Sequence, residues 1–515
     1  MSDEKTAPEV VGAATTHGDN SSSTNGHPTD EPLVVDRPAG WIYKGFKIGN
    51  RELWYASPKV QLFMVSIVCF LCPGMFNALG GLGGGGQVDP SAQQKANATL
   101  YAVFAVVGFF AGTFANRLGL RLTLALGGVG YTLYSASFLS YSHNQNEGFV
   151  VFAGALTGVS AGLLWTAQGA IMMSYPPEHA KGRYISWFWI IFNMGGVIGS
   201  LIPLAQNIHK KAGPVTDGTY IAFIILMFCG LFLSLLLVDA DKVIREDGTK
   251  VILMKSPTWQ TEFQGLWETI KQPWVLYLFP MFFTSNIFYT YQNNGLNATH
   301  FNTRARTLNG LLYWLAQIIG AILVGYALDY PKIRRSVRAK IYLVFLFTTT
   351  MIIWGGGLAW ELKQVSREVA ATTEYKDNEL IDWSDGRELY IGPMLLYFFY
   401  GLFDSLWQAG VYWYMGALSN SGRRATNLAG LYKGVQSAGV AIFWGLDAAK
   451  IDYKIIFGIT WGLLTVSMII AVPVLWKIPD TVSIEQDLKF SNETIEDVIV
   501  PVVPQEKRAS NAGIA

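Results

Sequence analysis

The chain has 515 residues, of which 51% are hydrophobic and 15% are charged, and its formal net charge is +1. Charge is this scarce mainly where much of a protein surface faces lipid, so the composition favours a multispanning membrane protein. A nearly neutral chain also lacks the basic excess that a nucleic-acid partner requires. The partner predicted from composition is therefore the lipid bilayer.

Motifs of enzymes and nucleotide sites are missing from the sequence. It contains no His-Glu-x-x-His, Gly-x-Ser-x-Gly or Walker motif. Cys69 and Cys72 have the spacing of a redox or metal site, but no second Cys or His pair accompanies them, so packing residues are the better interpretation. We expect no catalysis, no cofactor and no metal. Any transport would then be passive or driven by an ion gradient.

Apolar segments fill most of the chain. Residues 1–50 predict a disordered cytoplasmic tail, because the stretch up to residue 40 is polar and holds no apolar run. Twelve segments of roughly the 20 residues needed to cross a bilayer follow. They lie at about 60–79, 98–115, 122–141, 149–174, 184–205, 220–238, 273–292, 308–328, 339–360, 390–418, 425–446 and 455–476. A polar cytoplasmic linker at 239–272 separates halves at 51–238 and 273–476, and a polar cytoplasmic tail covers 477–515.

The loop charges predict the orientation. With both termini in the cytoplasm, the short inner loops carry more Lys and Arg than the short outer loops, as the charge rule requires. Two glycosylation sequons, which begin at Asn97 and Asn297, would then face outside. The sequence does not distinguish the plasma membrane from an endomembrane.

A basic hairpin joins the second and third segments: Gly112-Thr-Phe-Ala-Asn116-Arg117-Leu-Gly119-Leu-Arg121. Gly112 allows two helices to approach closely, and Gly119 permits the turn. The order resembles the loop signature of the major facilitator superfamily, which usually has Asp where this chain has Asn116. We predict that Arg117 and Arg121 fix an inward gate by bonding helix ends or acids; a topology signal alone is the alternative.

A partial internal repeat supports this resemblance. The hairpin has an echo that ends at Asp329, followed by a basic cluster. Trp165 and Gln168 of the fourth segment recur as Trp407 and Gln408 of the tenth, each pair followed by a Gly-Arg turn. Matching order in corresponding segments predicts two related halves.

Two further stretches narrow the resemblance. Residues 163–169, and Gly74-Met-Phe-Asn77 with the glycine run after it, are similar to the Unc-ninety-three-like branch of the superfamily in its fungal form. The resemblance implies an all-α integral membrane protein with twelve transmembrane helices in two pseudo-symmetric six-helix halves. That branch includes presumed transporters, ion-channel regulators and receptor-trafficking partners, so the resemblance names no substrate.

Polar side chains at bilayer depth are costly and face a cavity or another helix. In a two-half transporter they surround a central site, although hydrogen bonding between helices is the alternative for any one of them. The predicted substrate path comprises Asn77, Trp165, Gln168, Asn193, Asn286, Tyr289, Gln292, Asn293, Gln317, Asp404, Trp407, Gln408, Lys433 and Gln436.

Asp404 and Lys433 are the two ionisable groups that lie well away from the segment ends. Burying one charge alone costs at least roughly 2.5 kcal/mol, so we expect them to pair. The pair is either fixed and structural or separated by substrate or a proton. The sequence thus predicts a secondary transporter of a small solute or ion that works by alternating access. The alternative is a non-transporting accessory protein that regulates or traffics a membrane partner such as an ion channel or receptor.

Overall fold

The computed structural model describes residues 37–49, 51–81, 91–207, 217–246, 248–251, 258–419 and 421–482. This part is almost entirely helical. The first half contains α1 Pro58–Cys69, α2 Met75–Gly81, α3 Ser91–Leu118, α4 Leu120–Asn144, α5 Glu147–Ser174, α6 Lys181–Asn207 and α7 Asp217–Leu235. The linker contributes α8 Trp259–Ile270. The second half contains α9 Pro273–Thr284, α10 Thr303–Leu328, α11 Arg335–Glu361, α12 Arg367–Ala370, α13 Thr373–Asn378, α14 Arg387–Leu418, α15 Gly422–Ala448 and α16 Tyr453–Leu475.

Ten helical spans of the described part are long and apolar enough to cross a membrane. The first of them, Pro58–Gly80, joins α1 and α2 through a π-helical turn at Phe70–Gly74 that contains Pro73. Two further helices complete the count that the sequence predicts. They are α9, which is apolar but short, and α15, which has 27 residues but carries charged side chains. The structure is thus consistent with twelve spans.

The seventh span is broken, whereas the sequence predicts one continuous helix over 273–292. Helix α9 ends at Thr284, and a turn leads into a π-helix at Thr290–Ala298. Asn286 in that turn has φ 78°, in the left-handed region that asparagine tolerates better than most residues. Irregular backbone at membrane depth is tolerated where it is buried in protein or lines a cavity.

The two halves meet along the helix pairs α3 with α15 and α6 with α10. Gly108 and Gly112 of α3 face Gly430 and Gly434 of α15. A Cβ added at Gly108 would lie 2.9 Å from the Gly434 Cα, so the two backbones leave no room for a side chain. Small residues four apart on both helices explain this close approach. We call this contact the glycine seam.

Helix α8 is amphipathic and lies beside α3. A capping box between Thr258 and Thr261 starts it, and Glu262 and Leu266 are buried. Its other face exposes three aromatic residues at intervals of four: Trp259, Phe263 and Trp267. Trp259 and Phe263 contact α3 rings that are themselves exposed, Phe114 and Phe110.

Ordered structure begins earlier than the sequence predicts. The strand β1 Phe46–Ile48 lies inside the segment 1–50 that the sequence predicts to be a disordered tail. It pairs antiparallel with β2 Arg51–Leu53, which follows that segment directly. Arg37 and Glu52 form an ion pair of 2.7 Å beside them. Residues 1–36 and 483–515, which make up most of both predicted tails, lie outside the described part, as do 82–90 of the glycine-rich loop.

Both predicted glycosylation asparagines lie in helical segments and have protein partners. Asn97 in α3 accepts a hydrogen bond of 2.9 Å from the Tyr134 hydroxyl. Asn297 accepts one of 3.0 Å from Asn309 and donates one to the Arg306 carbonyl. Both asparagine side chains therefore form hydrogen bonds within the protein.

Candidate functional site

A cavity of about 90 Å³ lies between the two halves. At roughly 30 Å³ for a water molecule, it holds about three waters or one small solute. Eight residues of the predicted path line it: Asn77, Trp165, Asn286, Tyr289, Gln317, Gln408, Lys433 and Gln436. Much of the remaining wall is aromatic, from Phe76, Tyr101, Phe104, Tyr131, Trp189, Phe192 and Trp314. Asn286 belongs to the break in the seventh span, so the irregular backbone does border a cavity.

Asp404 of α14 is fully buried beside this cavity and is surrounded by donors. Its Oδ2 accepts hydrogen bonds from the Tyr289 hydroxyl at 2.8 Å and the Tyr313 hydroxyl at 3.1 Å. Gln317 donates to the same oxygen at 2.8 Å, and Gln408 donates to Oδ1 at 2.7 Å. The Tyr313 hydroxyl also lies 2.9 Å from Gln292 Oε1, and its single proton serves one of the two acceptors at a time. Three donors, with Tyr313 as a shared fourth, suit an ionised carboxylate. Sequence reasoning missed Tyr313, although it lies one helical turn before Gln317 on the same face of α10.

Lys433 of α15 is buried at the cavity wall. Its ammonium donates to Gln436 Oε1 at 2.8 Å and, at a long 3.5 Å, to Gln408 Oε1. It also lies over three aromatic rings, 4.6 Å from Trp165, 4.9 Å from Tyr432 and 5.4 Å from Tyr412. Amide oxygens and ring faces both stabilise a cation.

The acid and the base are joined through an amide rather than in direct contact. Gln408 lies one turn after Asp404 on α14, donates to it through Nε2, and accepts from Lys433 through Oε1. Gln436 also donates to Gln408 Oε1, at 3.2 Å. Within the described part, Asp404 and Lys433 form no ion pair within 4.0 Å. The predicted pair is therefore one network whose middle member is Gln408.

Five residues of the predicted path lie away from the cavity wall: Gln168, Asn193, Gln292, Asn293 and Trp407. Three of them bond neighbouring helical segments. Trp407 donates to Ser285 at 2.9 Å, and Gln292 and Asn293 accept from Tyr313 and Tyr397 at 2.9 Å each. For Gln168 Oε1 and both polar atoms of Asn193, the described part provides no hydrogen-bond partner. Of the two tryptophans that the repeat relates, Trp165 lines the cavity and Trp407 does not.

Asp329 ends α10 and binds the first turn of α6. It accepts hydrogen bonds from the backbone N–H groups of Gly182 at 2.9 Å and Arg183 at 2.7 Å. A carboxylate at a helix N-terminus is favoured by the unsatisfied N–H groups and the helix dipole. Burial raises the pKa of Asp329 above its usual value, while these hydrogen bonds oppose the rise.

Asn116 occupies the corresponding place in the first half. Its amide donates to Glu262 Oε2 of α8 at 2.9 Å and to Asn427 of α15 at 3.2 Å. Glu262 is fully buried and lies 3.0 Å from the Arg423 guanidinium in the first turn of α15. Burial raises the pKa of Glu262, and the charge of Arg423 opposes the rise. The linker helix thus provides the carboxylate that position 116 lacks.

The two hairpin arginines are peripheral by comparison. Arg117 is exposed, and Arg121 lies 3.9 Å from Asp239 in an exposed ion pair. Such pairs contribute about 0–1 kcal/mol. The contacts between the halves are made by Gly112 and Asn116 instead.

Comparison with known proteins identifies the fold and the family. The family model of the Major Facilitator Superfamily matches residues 60–363. An UNC93-like protein of Schizosaccharomyces pombe is 47% identical over 466 residues, which cover 90% of each chain. The chain belongs to the UNC93-like proteins of the major facilitator superfamily. UNC93-like protein 1 of Arabidopsis thaliana is 43% identical over 414 residues, covering 80% of this chain and 89% of that one.

Solved structures of transporters share the fold of this UNC93-like protein, although their sequences are only weakly similar to it. The proton:xylose symporter XylE has a TM-score of 0.57 at 12% identity and covers 82% of this chain and 97% of its own. The human organic anion transporter MFSD10 has a TM-score of 0.54 at 12% identity, over 80% and 99%. The predicted major facilitator fold and the UNC93-like resemblance are confirmed. The protein is a multi-pass integral membrane protein of transporter type.

Proposed function

We propose that this UNC93-like protein is a secondary transporter that moves a small solute by alternating access between its two halves. The observation that carries the proposal is the cavity at their interface, where polar side chains from both halves converge beside a buried acid and a buried base. Buried charges at membrane depth are expensive and mark substrate or ion paths. The path residues named above are proposed as its wall.

We propose that contacts at the ends of α3 and α10 hold the inward gate closed. Asp329 binds the start of α6, and Asn116 with Glu262 binds the start of α15. The glycine seam holds α3 against α15. All of these contacts join one half to the other, so an inward opening has to break them.

Gln408 supplies a means of coupling. A solute that hydrogen-bonds the Gln408 amide would take the Gln408 donor away from Asp404. A buried carboxylate that loses a donor is costly, and binding a proton removes that cost. Tyr289 and Tyr313 on Asp404 and Lys433 beyond Gln408 are the other titratable groups in this network. We therefore propose that a proton gradient drives transport.

The loop charges support a topology with both termini, the linker and α8 in the cytoplasm. The two halves are then residues 51–238 and 273–476. An accessory role in regulating or trafficking a membrane partner requires neither a polar central cavity nor a network that links an acid to a base. The cavity therefore favours transport over that alternative.

Alternating exposure of the cavity tests the proposal without a known substrate. Ser437 lines the cavity, and Ser437→Cys is nearly isosteric; Cys229 is exposed and is replaced by Ser in the background. We expect a membrane-impermeant thiol reagent to label this cysteine from either side of sealed vesicles. Ser66→Cys, in α1 and bonded to the Leu62 carbonyl, is the buried control and stays unlabelled. A Ser437→Cys variant that reacts from only one side, or from neither side, would contradict alternating access.

A further inference from the structure

We infer that the central cavity binds a small organic monoanion, a carboxylate or sulfonate on an apolar body, with its charge on the Lys433 ammonium. The inference rests on the proposed transport function and names the substrate class of the same site. Its basis is the charge, the donors and the surface of the cavity wall.

Lys433 is the sole charged residue among those that line the cavity. Asp404 lies behind the wall, where the Tyr289, Tyr313, Gln317 and Gln408 side chains all donate to its carboxylate. The negative charge is thus already satisfied by neutral donors and turned away from the solute. The charge on the cavity wall itself is therefore positive.

The Lys433 ammonium can donate a hydrogen bond to a further acceptor. It has three N–H donors, of which one is used well on Gln436 at 2.8 Å and one poorly on Gln408 at 3.5 Å. In the part of the chain that the structure describes, no carboxylate lies within 4.0 Å of it. A buried cation without a counter-ion is unfavourable, so an anion that enters the cavity stabilises a charge that the protein leaves unpaired.

The aromatic groups around Lys433 argue against a cationic solute. A cation would bind over the faces of Trp165 and Tyr432, but the ammonium of Lys433 already occupies that position at 4.6 and 4.9 Å. A second positive charge there would meet like-charge repulsion, which is strong in the low dielectric of a protein interior. The rings therefore hold the lysine in place and leave its free donor for an anion.

The rest of the wall suits an apolar body of limited size. Phe76, Phe104 and Phe192 offer ring surface, and Asn77 and Asn286 add amide groups. A cavity of about 90 Å³ with one cation favours one negative group and few other heavy atoms. A dianion would leave its second charge against ring surface.

Ligand-induced stabilisation of the purified full chain tests the inference. The probes are propionate, the neutral isostere propionamide, and chloride at matched ionic strength. Propionate should raise the melting temperature in proportion to its concentration, whereas propionamide and chloride should have little effect. Lys433→Gln keeps a hydrogen-bonding side chain without charge and should weaken propionate binding about ten- to a hundredfold. Lys340→Gln, which removes the ammonium over the Trp476 ring instead, should bind propionate as the natural chain does.

Where Lys433→Gln alone misfolds, the double change with Asp404→Asn removes both charges and gives the same expectation for propionate. The inference is overturned if propionamide stabilises as well as propionate, if chloride alone stabilises, or if the lysine variant keeps its propionate affinity. Its failure is distinguishable from that of the transport proposal. A cavity that Ser437→Cys reports as accessible from both sides, yet that binds no propionate, removes the substrate class and leaves transport standing.

Discussion

Glu262 accepts a hydrogen bond of 2.9 Å from the Asn116 amide, across 146 residues of sequence. Its other oxygen lies 3.0 Å from Arg423 at the start of α15. In the second half, Asp329 binds the start of α6 through two backbone N–H groups. Each side of the proposed gate thus has a carboxylate at the start of a helix, but the first half receives its carboxylate from the linker.

Glu262→Gln should weaken the closed gate. The change removes the negative charge that lies 3.0 Å from the largely buried Arg423 guanidinium, which we expect to cost about 1–3 kcal/mol because the pair is not fully enclosed. The Ser437→Cys reporter should then label faster from the cytoplasmic side. Glu268→Gln changes an exposed carboxylate on the same helix and should leave the labelling rate unchanged.

Asn116→Asp should rescue the Glu262→Gln variant, because it returns the carboxylate to the position usual for the superfamily. Alone, Asn116→Asp places a second negative charge within hydrogen-bonding distance of Glu262. Repulsion between the two carboxylates should then loosen the gate. Labelling rates of the two single variants and the double variant form the cycle that measures this coupling. A double variant no slower to label than Glu262→Gln would show that the two positions do not share one role.

Gly112→Ala should separate α3 from α15. The added Cβ would lie 2.7 Å from the Asn427 Cα, and backbone at that distance has to move. We expect about 1–3 kcal/mol of destabilisation, seen as a lower melting temperature and faster cytoplasmic labelling. Gly355→Ala in α11 is the control, because no atom lies within 4 Å of its added Cβ. Equal melting temperatures for the two variants would contradict a close seam.

His300 should make the loop before α10 sensitive to acid. Burial lowers the pKa of His300 from its usual 6.5 to about 4, so the folded state holds this ring neutral. The unfolded chain binds a proton below pH 6.5 that the folded chain refuses, and stability falls as the pH drops from about 6.5 to about 4. The loss reaches about 3 kcal/mol at most.

Melting temperatures between pH 7.5 and pH 4.5 measure this effect. His300→Gln keeps a polar group toward the Tyr375 hydroxyl and should flatten the slope, whereas His179→Gln at an exposed position should retain it. An unchanged slope in the His300 variant would assign the acid sensitivity to other groups.

The sequence predicted the fold well, because apolar length and loop charge report directly on what a bilayer demands. It placed the seventh span correctly but missed the break after Thr284. Hydropathy measures the free energy of transferring a side chain into an apolar phase. It therefore does not indicate that Asn286 adopts a left-handed backbone conformation. The same limit applies to the strands before residue 53, which are too short for a periodic signal.

The sequence predicted which residues belong to the site better than it predicted the contacts between them. Asp404 and Lys433 were found because charges are rare at membrane depth, and Gln408 because it belongs to the repeat. That Gln408 lies between them follows from packing of α14 against its neighbours, which spacing along the chain does not encode. Glu262 was missed because it lies in a polar linker, where a single carboxylate gives no signal until α8 packs against Asn116.

Transport by this protein is tested most directly by solute accumulation in proteoliposomes of the purified full chain. Vesicles containing the natural chain or Asp404→Asn are incubated with a mixture of small solutes under an imposed proton gradient, and their contents are identified by mass spectrometry. The natural chain should accumulate at least one solute above the level of protein-free vesicles. Asp404→Asn should lose gradient-driven accumulation, because it removes the group proposed to carry the proton. No accumulation by the natural chain, or equal accumulation by the variant, would contradict the account.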